Sequence, residues 1–194
     1  MNLWIKQTSF IIALILCFCS TAWAQNAVMI IAKKDFRDEE LLQPKEILEK
    51  EGIEVTIASS SLSKSRGMLG TIVKPDITLD EVEVDDYDII IFVGGMGASQ
   101  YFYDPKAHKI AQEAANKGKV LGAICIAPVI LANAGVLKGK NATVWSSECG
   151  SLEAQGAHYT GKPVEIDGMV VTANGPKAAE EFGGAIVTCF KKGR

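Results

Sequence analysis

Three stretches of this chain, "AVMIIA" (27–32), "DIIIFV" (88–93) and "KVLGAICI" (119–126), carry almost no polar side chain over the length of a strand. A strand with one wet face alternates apolar and polar residues, whereas an unbroken run belongs to a strand covered on both faces. Each run is followed by a helix-like or turn-rich segment. A mainly parallel sheet sandwiched between helices is the architecture that satisfies both observations.

The intervening segments fit that frame. "DEELLQPKEILEKEG" (38–52) spaces Leu41, Leu42, Ile47 and Leu48 near helical periodicity and stops at Gly52. Pro44 is expected in the first turns or at a bend, because a mid-helix proline removes a hydrogen bond. "IEVTIAS" (53–59) reads as a strand, and the polar stretch after it as a loop with a short strand or hairpin around "TIV" and "DITL". Asp104 caps a helix that starts with Pro105 and stops at Gly118. "PVILANAG" reads as a helix, Ala142–Trp145 as a strand, "VEIDGMVVTA" as a hairpin turning at Asp167–Gly168, and 175–190 as a closing helix.

The N-terminal residues set the expected compartment. Lys6 precedes an uncharged stretch with an apolar core at 10–18, and "AWA" ends it with small residues at Ala22 and Ala24. That order predicts a secretory signal peptide over 1–24, a single domain over 25–194, and an exported, periplasmic protein. The core is short for a span of about 20 residues, so no membrane association is expected after cleavage. Removing Lys6 takes the formal charge from −3 to −4, which offers nucleic acid no attraction. Cys17 and Cys19 would leave with the leader, and Cys125, Cys149 and Cys189 remain. An odd number of thiols in an oxidising compartment leaves at least one over, to be buried or used.

Open parallel sheets place their sites in the loops beyond the carboxyl ends of the strands. "KKDFRDEE", "GGMGAS" and "CIAP" are those loops here. A cysteine at a strand-to-helix corner meets the unpaired N–H groups of the following helix, which favour its thiolate; it is equally a common small core residue. The glycine loop allows close backbone approach and can offer N–H groups to an oxyanion. The acids of "DFRDEE" suit a helix start on their own. The two histidines, His108 and His158, are far from each other and from Cys125 in sequence, so neither a metal site nor a local Cys-His pair is expected.

Taken in order, "DFRDEELLQPKEILEKEGIEVTIAS", "YDIIIFVGGMG", "GKVLGAICIAPVILANAGVLKGK" and "VEIDGMVVTANGP" resemble the DJ-1/PfpI superfamily, over essentially all of the mature chain. The resemblance implies a flavodoxin-like three-layer α/β sandwich, related to class I glutamine amidotransferases and commonly dimeric. It implies that Cys125 is a reactive cysteine and that Glu40 is its partner, a protonated carboxyl that lowers the thiol pKa while burial raises its own. Gly95 and Ile126 would supply oxyanion N–H groups. The "WSSECGS" segment falls where relatives place a residue beside the sulfur, making Glu148 and Cys149 pocket candidates, with a Cys125–Cys149 bridge as one consequence.

Two departures narrow the expected activity. Peptidase-like members carry a histidine directly after the cysteine, where this chain has Ile126, and DJ-1-like members carry one soon after the next strand, where "TVWSSECGS" has none. Cysteine peptidase chemistry is therefore disfavoured. A cofactor-independent action on small reactive aldehydes, of glyoxalase or deglycase type and protective under stress, is the expected function. A cysteine-based redox sensor that reacts with an oxidant is the alternative. A homodimer is the expected assembly.

Overall fold

The computed structural model describes residues 25–193, so the predicted signal peptide lies outside the described residues. In chain order the elements are β1 (Gln25–Ile30), β2 (Lys34–Phe36), α1 (Asp38–Lys50), β3 (Ile53–Ser59), β4 (Ser65–Gly67), β5 (Ile72–Val73), β6 (Ile77–Thr78) and β7 (Ile89–Phe92). Then follow α2 (Pro105–Asn116), β8 (Val120–Ile124), α3 (Pro128–Asn133), β9 (Asn141–Ala142), α4 (Cys149–Ala154), β10 (His158–Tyr159), β11 (Val164–Asp167), β12 (Val170–Ala173) and α5 (Ala179–Lys192).

Seven strands form the central sheet in the order β11-β12-β8-β7-β1-β3-β6. All neighbours are parallel except the β11–β12 hairpin. The long parallel strands β3-β1-β7-β8-β12, numbered by sequence, read 2-1-3-4-5, which is the flavodoxin-like order. The chain reverses its direction of winding between β1 and β7, and a crevice opens there beyond their carboxyl ends.

The apolar runs are continuous because alternate side chains feed two separate cores. Val28, Ile30, Ile90 and Phe92 pack with Ile110 of α2 and Ile130 of α3 on one face. Ala27, Met29, Ile89 and Ile91 pack with Leu48 of α1 and Phe182 of α5 on the other. Glycine sets how closely that second layer docks. A Cβ at Gly122 would lie 2.7 Å from Ile186 Cδ1 and 2.9 Å from Phe182 Cζ. One at Gly183 would lie 3.0 Å from Pro44 Cα and 2.8 Å from Ile47 Cδ1.

That last contact corrects one expectation. Pro44 sits at the seventh position of the thirteen-residue α1, in its interior beyond the first turn, and is buried. Its Cα is where α5 approaches through Gly183, so tertiary packing outweighs the lost helical hydrogen bond. A second correction concerns 142–145. Only Asn141–Ala142 is strand, paired with β10 outside the main sheet. The next N–H groups are used elsewhere: Thr143 donates to Thr172 Oγ1 at 2.9 Å and Trp145 to the Cys125 carbonyl at 2.8 Å. A third is that "KKDFRDEE" contains a strand, β2, which joins β4 and β5 in a small separate sheet.

No helix among the described residues is long and apolar enough to cross a membrane.

Candidate active site

Cys125 follows the last residue of β8 and adopts φ 63°, one of two non-glycine residues with positive φ among the described residues; the other is Asp35 at 58°. A left-handed non-glycine backbone costs on the order of 1–3 kcal/mol and needs surrounding structure to hold it. Here the Cys125 N–H donates to the Ala173 carbonyl at 2.9 Å, and its own carbonyl accepts from Trp145. Both neighbours thus fix the corner. The residue is 9% exposed.

Glu40 comes from the first turn of α1, which begins with three acids, Asp38, Glu39 and Glu40. The three have separate roles. Glu39 takes a two-pronged bond from Arg37, at 2.8 Å from Nε and 3.0 Å from Nη2. Asp38 is buried and accepts from the N–H groups of Leu69 and Thr71, both at 2.8 Å. Glu40 turns inward to complete burial, 0% exposed.

The loop after β7 closes the arrangement because it is glycine. A Cβ at Gly94 would lie 2.5 Å from Cys125 Cβ and 2.5 Å from Glu40 Oε2. Gly95, at φ 93°, presses on the β1–α1 loop so closely that a Cβ would come within 2.4 Å of Arg37 N and Asp35 O. The Arg37 N–H donates to the Gly94 carbonyl at 3.0 Å, locking the two loops together. Three loops from β1, β7 and β8 therefore meet at the point of topological reversal.

The carboxyl and the thiol are coupled. Burial pushes Glu40 up to about 8. The Cys125 thiol and the Gly94 N–H lie near enough to pull it back down in part, but neither carboxyl oxygen closes a hydrogen bond of ordinary geometry. Burial, followed by the charge of an ionised Glu40, pushes Cys125 up to about 12, against a downward pull from the N–H groups of Gly95 and Ile126. The expected lowering of the thiol is thus not what the site shows while Glu40 is ionised. Once Glu40 holds its proton, the repulsion disappears, and only burial opposes the two N–H groups. The pair releases one proton far more readily than two.

A pocket of about 360 Å³ opens over the sulfur. Met68, Met96, Phe102, Ile126 and Trp145 give it an apolar wall, and Arg37, Ser99, Ser147 and Glu148 supply polar groups. Glu148 lines the pocket, where the hydroxyls of Ser147 and Ser151 hydrogen-bond its carboxylate at 3.3 and 3.0 Å. Cys149 does not line it. It packs instead against the core on the α2–α3 face, while Cys125 belongs to the core on the opposite face. The structure brings together Cys125, Glu40, Gly95, Ile126 and Glu148, while Cys125 and Cys149 are both free thiols that pack in different cores.

Neither histidine lines the pocket. His108 Nε2 hydrogen-bonds the Phe102 carbonyl at 2.8 Å, and His158 lies on β10. No group of three or more His, Cys, Asp and Glu side chains that could hold a metal ion occurs among the described residues. Sequence reasoning gave no role to Arg37, Met68, Phe102 or Asp38. Asp38 and the Phe36 carbonyl, which accepts from the Met68 N–H at 2.9 Å, both tie down the 67–71 turn that carries Met68 to the pocket, contacts between residues about thirty positions apart that no local pattern announces.

Comparison with known proteins agrees with this geometry. A sequence model of the DJ-1/PfpI family matches residues 26–189. The deglycase PfpI of Pyrococcus furiosus is 34% identical over 149 residues, covering 77% of this chain and 90% of that one. The glutathione-independent glyoxalase DJR-1.2 of Caenorhabditis elegans is 28% identical over 163 residues, covering 84% of this chain and 87% of its own. The crystal structure of a ThiJ/PfpI domain protein from Brachyspira murdochii superposes with a TM-score of 0.85 at 28% identity, over 87% of this chain and 98% of that one. With its family match, its sheet order and its relatives in accord, the chain belongs to the DJ-1/PfpI family.

Proposed function

We propose that this protein acts on small reactive aldehydes through a Cys125 thiolate, with Glu40 carrying the protons, as a protective activity in an exported homodimer. The observation that carries the reading is the shared proton of a fully buried carboxyl and a corner thiol beneath an open pocket. When the pair has lost one proton, the charge is better placed on sulfur. Cys125 lines the pocket, and its sulfur faces the N–H groups of Gly95 and Ile126. The carboxyl is fully buried with neither oxygen hydrogen-bonded, and the nearest cation, Arg37, is engaged by Glu39. Thiolate facing carboxylic acid is the reactive form.

The chemistry balances without a cofactor. The thiolate forms a bond to the aldehyde carbon, the carbonyl π pair moves to oxygen, and Glu40 gives that oxygen its proton, leaving a hemithioacetal. For a 2-oxoaldehyde, the Glu40 carboxylate then takes the C1 proton to give an enediol(ate) and returns it at C2, the hydroxyl proton passes from the C1 oxygen to the C2 oxygen, and water cleaves the resulting thioester to a 2-hydroxy acid, restoring the thiol. The relatives named deglycase and glyoxalase support action on such substrates. Ile126 in place of a histidine leaves Glu40 as the proton carrier in reach and argues against peptidase chemistry.

Oxidation is the second reading, favoured by the same opening over the sulfur: the thiolate attacks one oxygen of a peroxide, giving sulfenic acid and releasing the other as alcohol or water. Formation of 2-hydroxy acid from methylglyoxal, in wild type, Cys125→Ser and Glu40→Gln, decides between them. Turnover in wild type, lost in both variants, is expected. Absence of turnover with stoichiometric peroxide consumption at Cys125 overturns the aldehyde reading in favour of the sensor. A rate of Cys125 alkylation that rises in one step at or below pH 8 and then stays level checks the thiolate itself.

A further inference from the structure

Beside the Cys125 pocket, and sharing Met68 with it, lies a second cavity of about 420 Å³ whose charged lining is Lys33, Lys34, Asp35, Lys64 and Arg66. Four cations and one acid gather there on a chain whose net charge is −3. The backbone explains their concentration. β2 and β4 pair in parallel with Lys34 opposite Arg66. The Arg66 N–H donates to the Lys33 carbonyl at 3.0 Å, which draws the two basic segments together. Like charges directly opposite on paired strands are destabilising. Among the described residues, none of the four cations forms an ion pair, and Asp35 offers its carboxylate to no hydrogen bond.

Folding alone has no use for this arrangement. Four unpaired cations around one concave space repel one another, and the repulsion is relieved when a compact multivalent anion enters. The cavity is within the size range of small-molecule sites. It is too local to follow the backbone of a nucleic acid, and the rest of the chain is acidic. A phosphate group suits it: two negative charges, tetrahedrally placed acceptors, and Arg66 able to bond two of them at once.

We propose that this cavity binds the phosphate group of a small phosphomonoester, with the organic part directed toward Met68. The site is independent of any reaction at Cys125, so its test stands apart from the aldehyde reading. Isothermal titration of the protein at low ionic strength, with glycerol 3-phosphate, inorganic phosphate, acetate and glycerol, is the measurement. Both phosphates bind one per chain, acetate binds more weakly, and glycerol does not bind. Lys64→Glu with Arg66→Glu weakens phosphate by at least about tenfold, and added salt weakens it in wild type as exposed charges are screened. The milder pair Lys64→Gln with Arg66→Gln gives the same direction and serves if charge reversal unfolds the small sheet. Cys125 alkylation stays at the wild-type rate in a folded variant. The proposal is overturned by silence with both phosphates, by binding that survives both double variants, or by acetate binding as tightly as glycerol 3-phosphate.

Discussion

Glu40 and Cys125 face each other across the space where Gly94 lacks a side chain. A single methyl group there would stand 2.5 Å from Glu40 Oε2 and 2.5 Å from Cys125 Cβ. Contacts that short cannot be absorbed by rotating one flexible end, because the Ile124 carbonyl is also 2.5 Å away. Gly94→Ala should therefore separate the pair at a stability cost of about 1–3 kcal/mol, the usual range for overpacking. Denaturant unfolding measures the cost. Alkylation of Cys125 measures the separation, as a shift in its pH profile relative to wild type.

Glu40 also makes stability depend on pH. Burial holds a proton on the folded Glu40–Cys125 pair that the unfolded carboxyl gives up at its ordinary 4.5, and the pair releases its first proton only near 8. A folded pKa raised above the unfolded one gives stability that is full below pH 4.5 and is lost as pH rises through 8. Glu40→Gln keeps the shape and removes the titration. Its unfolding free energy should stay level from pH 5 to pH 8 where that of wild type declines, and parallel curves would contradict the assignment.

Asp38 acts in the opposite sense. Burial would raise its pKa, but hydrogen bonds from Thr71 and Leu69 outweigh it and hold the carboxyl below its ordinary 3.8. Its contribution is present above pH 3.8 and is lost as pH falls through the lowered value. Asp38→Ala leaves two N–H groups without partners, at a cost of about 1–3 kcal/mol. It also frees the turn that carries Met68. Faster hydrogen exchange at the amides of Leu69 and Thr71, together with a raised KM and a kcat near wild type, is the expected signature.

Gly175 supports the opposite wall. At φ 146° it lies against the Trp145 ring, where a Cβ would be 2.7 Å from Cε3. Gly175→Ala must move the indole. Trp145 is the sole tryptophan among the described residues, so the tryptophan emission of protein produced from Gln25 onward reports on the pocket. A shifted emission maximum and a changed KM for bulky aldehydes relative to methylglyoxal are expected, with Cys125 alkylation unaltered.

The sheet was legible because its strands are buried on both faces, which leaves the unbroken runs at 27–32, 88–93 and 119–126 as a direct trace. The corner at Cys125 and the carboxyl at Glu40 could be named from the order of loops and from resemblance. Their protonation could not, since it depends on how completely α1 buries one side chain. The failures share a cause as well. Pro44 was misplaced because α5 meets it through Gly183, and 142–145 because its N–H groups serve Thr172 and Cys125 instead of a ladder. Cys149 directly follows pocket-lining Ser147 and Glu148, yet at the start of α4 it packs against the other core. Long-range contacts decide each of these, and adjacency in sequence does not carry them.

The positive φ at residue 125 has a consequence for how the position is occupied. A left-handed backbone is where glycine fits without strain and any side chain incurs a penalty. Judged by folding alone, residue 125 should be glycine, as residue 95 is at φ 93°. Cysteine is retained at a site whose geometry discriminates against it, so its presence is better explained by what the sulfur does than by what it fills.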